Sequence, residues 1–196
     1  MAVLKPLLTT GARVLVRGGI GADAVTLTGF AIGVGAAVAI AFGAFGWGLA
    51  LILASRLADG LDGAVARLTH TTDRGAYLDI TLDFLFYAGI PLAFAVADPA
   101  ANALPAAVLL AAFIGTGSSF LAFAVLAERR RLASTAYPQK GFFYLGGLTE
   151  ATETLICFCL MCLWQERFAW WAYGFAALCG LTIATRIVGG AKALSR

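Results

Sequence analysis

The chain has 196 residues, of which 61% are hydrophobic and 13% charged, with a formal net charge of +3 and a mean hydropathy of +0.87. That composition excludes a soluble globular domain, and no nucleic-acid partner is expected. Apolar runs of about 20 residues, enough to cross a hydrocarbon core of about 30 Å, recur along the whole chain. The expected architecture is an all-α integral membrane protein, a single domain over 1–196 with no room for a separate soluble one.

Residues 1–20 carry Lys5, Arg13 and Arg17 among Val, Leu and Ala, with Pro6 and Gly11 interrupting. The basic residues are too scattered for a signal peptide. An amphipathic helix lying at the interface is expected there, a frayed tail being the plainer alternative. Six membrane spans are predicted next, at about 24–44, 47–68, 77–97, 103–127, 142–164 and 168–190. The first contains Gly29-x3-Gly33, with Gly35 and Gly43 nearby. This spacing permits close helix approach, within one chain or between two copies. His70, the only histidine, follows the second span; a surface loop residue is the default, a headgroup or phosphate contact the alternative. Cys157, Cys159, Cys162 and Cys179 fall inside predicted spans. Cys159-x2-Cys162 resembles half a zinc site, but without a second polar pair or a nearby His these cysteines read as apolar packing.

Basic residues alternate with nearly neutral connections. Lys5, Arg13 and Arg17 precede the first span, Arg67 and Arg74 flank the second connection, Arg129, Arg130, Arg131 and Lys140 fill the fourth, and Lys192 and Arg196 end the chain. The remaining connections hold Gly46, then Asp98-Pro99, then Glu166-Arg167. The positive-inside tendency places both termini and the second connection on the cytoplasmic side of the membrane.

Four carboxylates stand out in this apolar chain: Asp59 and Asp62, three apart, and Asp79 and Asp83, four apart. Each pair falls on one helix face, so two neighbouring helices could bring four negative charges to one spot. Buried charges of one sign need counter-ions, and an all-oxygen ligand set suits hard divalent cations such as Mg²⁺ or Mn²⁺. Gly63 and Ala66 leave the same helix nearly bare, so a nucleotide could lie against its backbone, and Arg67 could reach a phosphate. Arg56, one turn before Asp59, is a further candidate for balancing charge, simple pairing with an aspartate being the alternative.

The ordered set Asp59-x2-Asp62-Gly63-x2-Ala66-Arg67-x7-Gly75-x3-Asp79-x3-Asp83 resembles the signature of the CDP-alcohol phosphotransferases. The gap between Arg67 and Gly75 is seven residues, shorter than in most members, which leaves both helix faces intact. The chain is also similar to a branch of bacterial inner-membrane members that share Gly146-Gly-Leu-Thr-Glu150-x-Thr-Glu153-Thr. The resemblance implies two divalent cations (Mg²⁺ or Mn²⁺): Asp59 bridging both, Asp62 binding one, Asp79 bridging again, and Asp83 serving as ligand and general base. It also implies a homodimer, and assigns Gly63 and Arg67 to the CDP moiety, with Ala66 and Gly75 completing the nucleotide scaffold. The family's usual N-terminal Asn-x2-Thr is here Asp23-Ala-Val-Thr26; Thr26 is a nucleotide ligand candidate, and Asp23 is either a cytidine contact or a cap of the first span.

The fifth predicted span carries Glu150, Glu153, Thr149, Thr152 and Thr154, and ionisable residues in such segments usually face a bundle interior or wet cavity. Family members that take a phosphorylated acceptor tend to carry Arg or Lys there, in one case as Glu-Arg-Thr-Glu-Arg. Here the two arginine positions are Ala151 and Thr154, so an uncharged polyol or amino alcohol is the better acceptor. Alternatively the glutamates bond to helix backbone or to Arg186 of the sixth span, while Lys140 and the adjacent arginines could contact phosphate or only enforce topology. The expected activity is phospholipid synthesis: transfer of a phosphatidyl group from CDP-diacylglycerol to a small hydroxyl acceptor, releasing CMP. The alternatives are transfer of a phospho-alcohol from a CDP-alcohol to diacylglycerol, a phosphorylated polyol as acceptor, or a small cation-coupled carrier.

Overall fold

The computed structural model describes residues 5–130 and 148–195. Every regular element among them is helical: α1 (Lys5–Arg17), α2 (Ala22–Ala41), α3 (Phe45–Leu68), α4 (Asp73–Ala97), α5 (Pro99–Arg129), α6 (Ala151–Leu163) and α7 (Phe168–Leu194), with a 3-10 turn at Gln165–Arg167 before α7. The chain divides into two compact units at the Ala97–Asp98 junction.

In the first unit α2 packs against both α3 and α4, and α1 packs against α3. Small residues make this approach possible. A Cβ on Gly29 would lie 3.0 Å from the Cβ of Ala58, and one on Gly33 would lie 2.6 Å from the Phe86 ring. The Gly29-x3-Gly33 pair therefore serves packing within the chain, with Gly29 against α3 and Gly33 against α4. Helix α2 ends at Gly43, whose φ of 75° is the left-handed conformation that stops a helix at low steric cost, while Ala44 N–H bonds Ala39 O at 2.8 Å. Helix α1 buries Ala12 against Ala64 and Val65 of α3, flanked by Leu8, Leu15 and Val16. Its Leu7, Arg13, Val14 and Arg17 are exposed.

In the second unit α7 packs against α5 and α6. Pro99 opens α5 and Asp98 caps it, accepting from Ala101 N–H at 3.1 Å. Glu150 and Glu153 start α6 through a capping box: each side chain accepts from the other residue's end of the first turn, Glu150 N–H reaching Glu153 Oε2 at 3.0 Å. Buried Thr149 donates to Thr182 of α7 at 3.0 Å.

Each predicted span has a helix in its place, but four satisfy length and apolarity for crossing a membrane: α2, α4, α5 and the stretch Gln165–Leu194. Helix α3 has the length, and the charges of Arg56, Asp59, Asp62 and Arg67 remove it from that class. Helix α6 is 13 residues long, because the capping box begins it nine residues inside the predicted span at 142–164; residues 142–147 of that span, with Arg131, Lys140 and Gly146, lie outside the described residues. Helix α4 starts at Asp73 rather than near 77.

Candidate active site

The site is built where α3 ends and α4 begins. Thr72 starts α4: its Oγ1 accepts from Gly75 N–H at 3.0 Å and its carbonyl accepts from Ala76 N–H at 3.0 Å. The first turn of α4 thereby points its amides, and the positive end of its peptide dipoles, toward the α3–α4 connection. Because α2 packs against both helices, the aspartates of α3 and α4 converge. One carboxylate oxygen each from Asp59, Asp79 and Asp83 lies within 4.8 Å of the others.

Asp62 stands beside this trio. It is buried, and its Oδ2 is shielded from solvent with no hydrogen-bond partner among the described residues. An orphaned carboxylate oxygen in apolar surroundings is costly unless a cation or a proton donor joins it. Three convergent carboxylates and one such oxygen form an all-oxygen donor set that fits hard divalent cations. Asp59, Asp62, Asp79 and Asp83 also line one small nook together with Ser55, Arg56 and Gly29.

Arg56 closes that nook from within α3. Its Nη1 donates to Asp83 Oδ1 at 2.6 Å and lies 3.6 Å from Asp59 Oδ1. Its guanidinium carbon sits 4.0 Å over the Phe86 ring, and its Nη2 donates to Ser55 Oγ at 3.4 Å. Ser55 is itself tied to α2, donating to Gly29 O at 2.7 Å.

A cleft of about 470 Å³ opens next to the carboxylates. Asp23 and Thr26 of α2, Asp62, Gly63 and Ala66 of α3, the connection Thr69–Thr72, and Gly75 and Asp79 of α4 line it. Its volume suits a nucleotide-sized ligand. A Cβ on Gly63 would meet Arg67 Nη1 at 3.3 Å, so Arg67 folds back over its glycine neighbour one turn earlier. Gly75 is crowded in the same way, with Asp23 Oδ1 3.3 Å from a Cβ placed there. Thr26 Oγ1 donates to Ala22 O at 3.0 Å.

Asp23 does not cap α2: the cap position is Gly21, without a side-chain bond. Lying inside the first turn, its carboxylate turns instead to Arg74, whose Nε is 3.4 Å away. The residues expected to read an acceptor all fall in the second unit or outside the described residues. Glu150 and Glu153 are engaged in the capping box. Buried Thr154 donates to Glu150 O at 2.9 Å. Arg186, also buried, donates to Thr116 O at 3.1 Å and lies over the Phe120 ring. Lys140 is outside the described residues. All four cysteines are free thiols, three of them buried.

The structure adds residues that spacing alone did not single out. Thr69, Thr71 and Thr72 line the cleft, together with His70, for which a headgroup or phosphate contact was the alternative expectation. The density of hydroxyls in so short a connection was the available signal. Ser55 and Phe86, which fix Arg56, gave none.

Comparison with known proteins matches residues 20–183 to the family model described as CDP-alcohol phosphatidyltransferase, a stretch that runs through both units. The chain is 54% identical over 190 residues to inner membrane protein YnjF of Escherichia coli K12, covering 95% of this chain and 91% of that one. It is 48% identical over 65 residues to archaetidylinositol phosphate synthase of Methanothermobacter thermautotrophicus, a third of each chain. With four membrane-competent helices and a relative named for the inner membrane, this is a multi-pass membrane protein, and it belongs to the CDP-alcohol phosphatidyltransferase family.

Proposed function

We propose that the protein transfers a phosphatidyl group from CDP-diacylglycerol to the hydroxyl of a small acceptor, releasing CMP. The observation that carries this reading is the convergence of Asp59, Asp79 and Asp83 within 4.8 Å beside a nucleotide-sized cleft. Asp59, Asp62, Asp79 and Asp83 would hold two divalent cations, Mg²⁺ or Mn²⁺, which when bound neutralise the diphosphate and the departing phosphate. The cytidine lies against bare Gly63 and Ala66, with Thr26 and Asp23 across the cleft. Arg67 and the Thr71 hydroxyl hold phosphate oxygens in place, beside the positive end of α4.

The acceptor oxygen attacks the phosphorus that bears diacylglycerol. The bond from that phosphorus to the CMP oxygen breaks, CMP leaves with the electron pair, and Asp83 accepts the hydroxyl proton. Positioning for in-line attack supplies much of the rate. Arg56 already holds one Asp83 oxygen, which leaves the remaining lone pairs of the carboxylate for a cation and the proton. A carrier of cations would need the carboxylates but not the glycine-floored cleft beside them.

The proposed acceptor is uncharged, because the sequence at α6 carries neither of the two arginines that the resemblance associates with phosphorylated acceptors. A second reading, a phosphorylated polyol, is favoured by the partial similarity to archaetidylinositol phosphate synthase. Arginine at exposed Ala151 would restore one of those cations, and it is expected to shift acceptor preference toward phosphorylated polyols. An unchanged profile in folded protein would show that this helix does not read the acceptor.

The reading also places the site and both termini on the cytoplasmic face, with α1 at the interface, since Arg13, Arg17, Arg67 and Arg74 lie around the helix ends that frame the cleft. A homodimer belongs to the same reading and is tested by mass measurement in detergent. The deciding experiment is release of labelled CMP from CDP-diacylglycerol by purified protein with Mg²⁺ or Mn²⁺ and a panel of hydroxyl acceptors. Product with one acceptor fixes donor and acceptor together. Metal-dependent CDP binding with silence across the panel would refute CDP-diacylglycerol as donor with those acceptors.

A further inference from the structure

Arg56 lies outside the aspartate signature, yet it joins two of its aspartates, Asp59 and Asp83, to Ser55 and Phe86. It is 13% exposed, stacked on Phe86 at 4.0 Å and tethered to α2 through Ser55 and Gly29. Its Nη1 reaches Asp83 of α4 at 2.6 Å and Asp59 of α3 at 3.6 Å. A guanidinium held this firmly, and fixed from three helices, is a permanent feature of the site rather than a passing surface pair.

We propose that Arg56 is the charge-setting residue of the phosphotransfer site: a fixed monovalent cation that weakens divalent-metal binding and strengthens binding of the anionic diphosphate. The inference rests on the two-metal reading above. Four ionised carboxylates and two divalent cations cancel in charge. Arg56 then leaves the nook one positive charge in excess, directed at the substrate's phosphates. The same charge repels each incoming metal ion and occupies one oxygen of Asp83. Burial magnifies both effects, because a charge shielded from water acts through a lower effective dielectric. Arg56 touches carboxylates rather than substrate, so it is a positioning residue that acts by its charge and by its hold on Asp59 and Asp83.

A merely structural role would move metal and nucleotide affinity in the same direction, since loosening the nook harms both. The proposed role moves them in opposite directions. Mn²⁺ affinity of detergent-purified protein is measured from the electron paramagnetic resonance of free Mn²⁺, and CDP affinity by calorimetry at saturating Mn²⁺. Arg56→Gln is expected to bind Mn²⁺ about tenfold more tightly and CDP about tenfold more weakly, the scale of one unscreened charge a few ångströms away. Arg56→Met, which keeps an apolar stem against Phe86, should show the same opposed shifts and serves if the glutamine variant does not fold. Arg56→Lys, which keeps the charge, should stay within about threefold of wild type on both. Wild-type protein that binds CDP with metal, with charge-neutral variants that shift both affinities the same way or neither, overturns the inference alone. Wild-type protein that binds no CDP at any Mn²⁺ concentration refutes the two-metal reading and the inference with it.

Discussion

Gly63→Ala separates binding from stability at one atom. A Cβ at this position meets Arg67 Nη1 at 3.3 Å and Nη2 at 3.8 Å, and its three nearest neighbours all belong to that guanidinium. The obstacle is thus the far end of a flexible, exposed side chain, which yields without disturbing the core. Alanine in a helix interior is favoured over glycine by about 1 kcal/mol, so the variant should melt at the same temperature as wild type or slightly higher. Binding moves the other way. On the proposed reading, displacing Arg67 removes a charge-assisted bond to phosphate worth about 1.5–3 kcal/mol, which is about a tenfold to hundredfold loss of affinity. The added methyl also raises the floor of the cleft where the nucleotide is proposed to lie. Thermal melts in detergent and calorimetric titration with CDP and Mn²⁺ measure the two quantities on one sample. Wild-type CDP affinity in this variant would refute both the bare-helix docking surface and the Arg67 contact. A lowered melting temperature would refute the view that Gly63 is kept for ligand approach rather than packing.

Asp83→Asn should lower turnover by at least about a hundredfold, the contribution of a positioned general base, while CDP binding persists; full CMP release in that variant would remove the base assignment. Gly33→Ala places a Cβ 2.6 Å from the Phe86 ring and 3.0 Å from Ser55 Oγ. Overpacking of about 1–3 kcal/mol should outweigh the helix gain of about 1 kcal/mol, lowering the melting temperature, and a rise would show that the ring moves aside freely. Glu150→Ala removes the α6 cap and should cost about 0.5–2 kcal/mol of stability while leaving CDP affinity unchanged. A loss of CDP affinity there would give Glu150 a role in nucleotide binding that the capping geometry does not predict.

The helices were legible because their signals are local. Runs of apolar residues near twenty long, bounded by Gly43 and Asp98-Pro99, state where a chain can cross a membrane and where it must stop. The aspartates were legible for the same reason, since a spacing of three or four puts two side chains on one helix face whatever surrounds them. The start of α6 was harder to place, although its signal was also local. Glu150 and Glu153 have the spacing of a capping box, but glutamate is not among the side chains that usually fill the cap position. Their charge inside an apolar run drew attention to the acceptor instead, and the helix begins where they bond to each other's backbone.

The site's internal scaffold has no local signal at all. Sequence shows that Arg56 stands three residues from Asp59, but its shorter bond goes to Asp83, 27 residues away. That partnership exists because Gly29 and Gly33 let α2 approach α3 and α4 closely enough for Ser55 to tie to one and Phe86 to back the other. The glycines, the serine and the phenylalanine each read as ordinary packing residues when taken singly. Their combined effect is to fix a cation among carboxylates that would otherwise repel one another. The helix-packing stripe and the carboxylate cluster are therefore one device, and changes to α2 at Gly33 should be felt by the aspartates through Phe86 and Arg56.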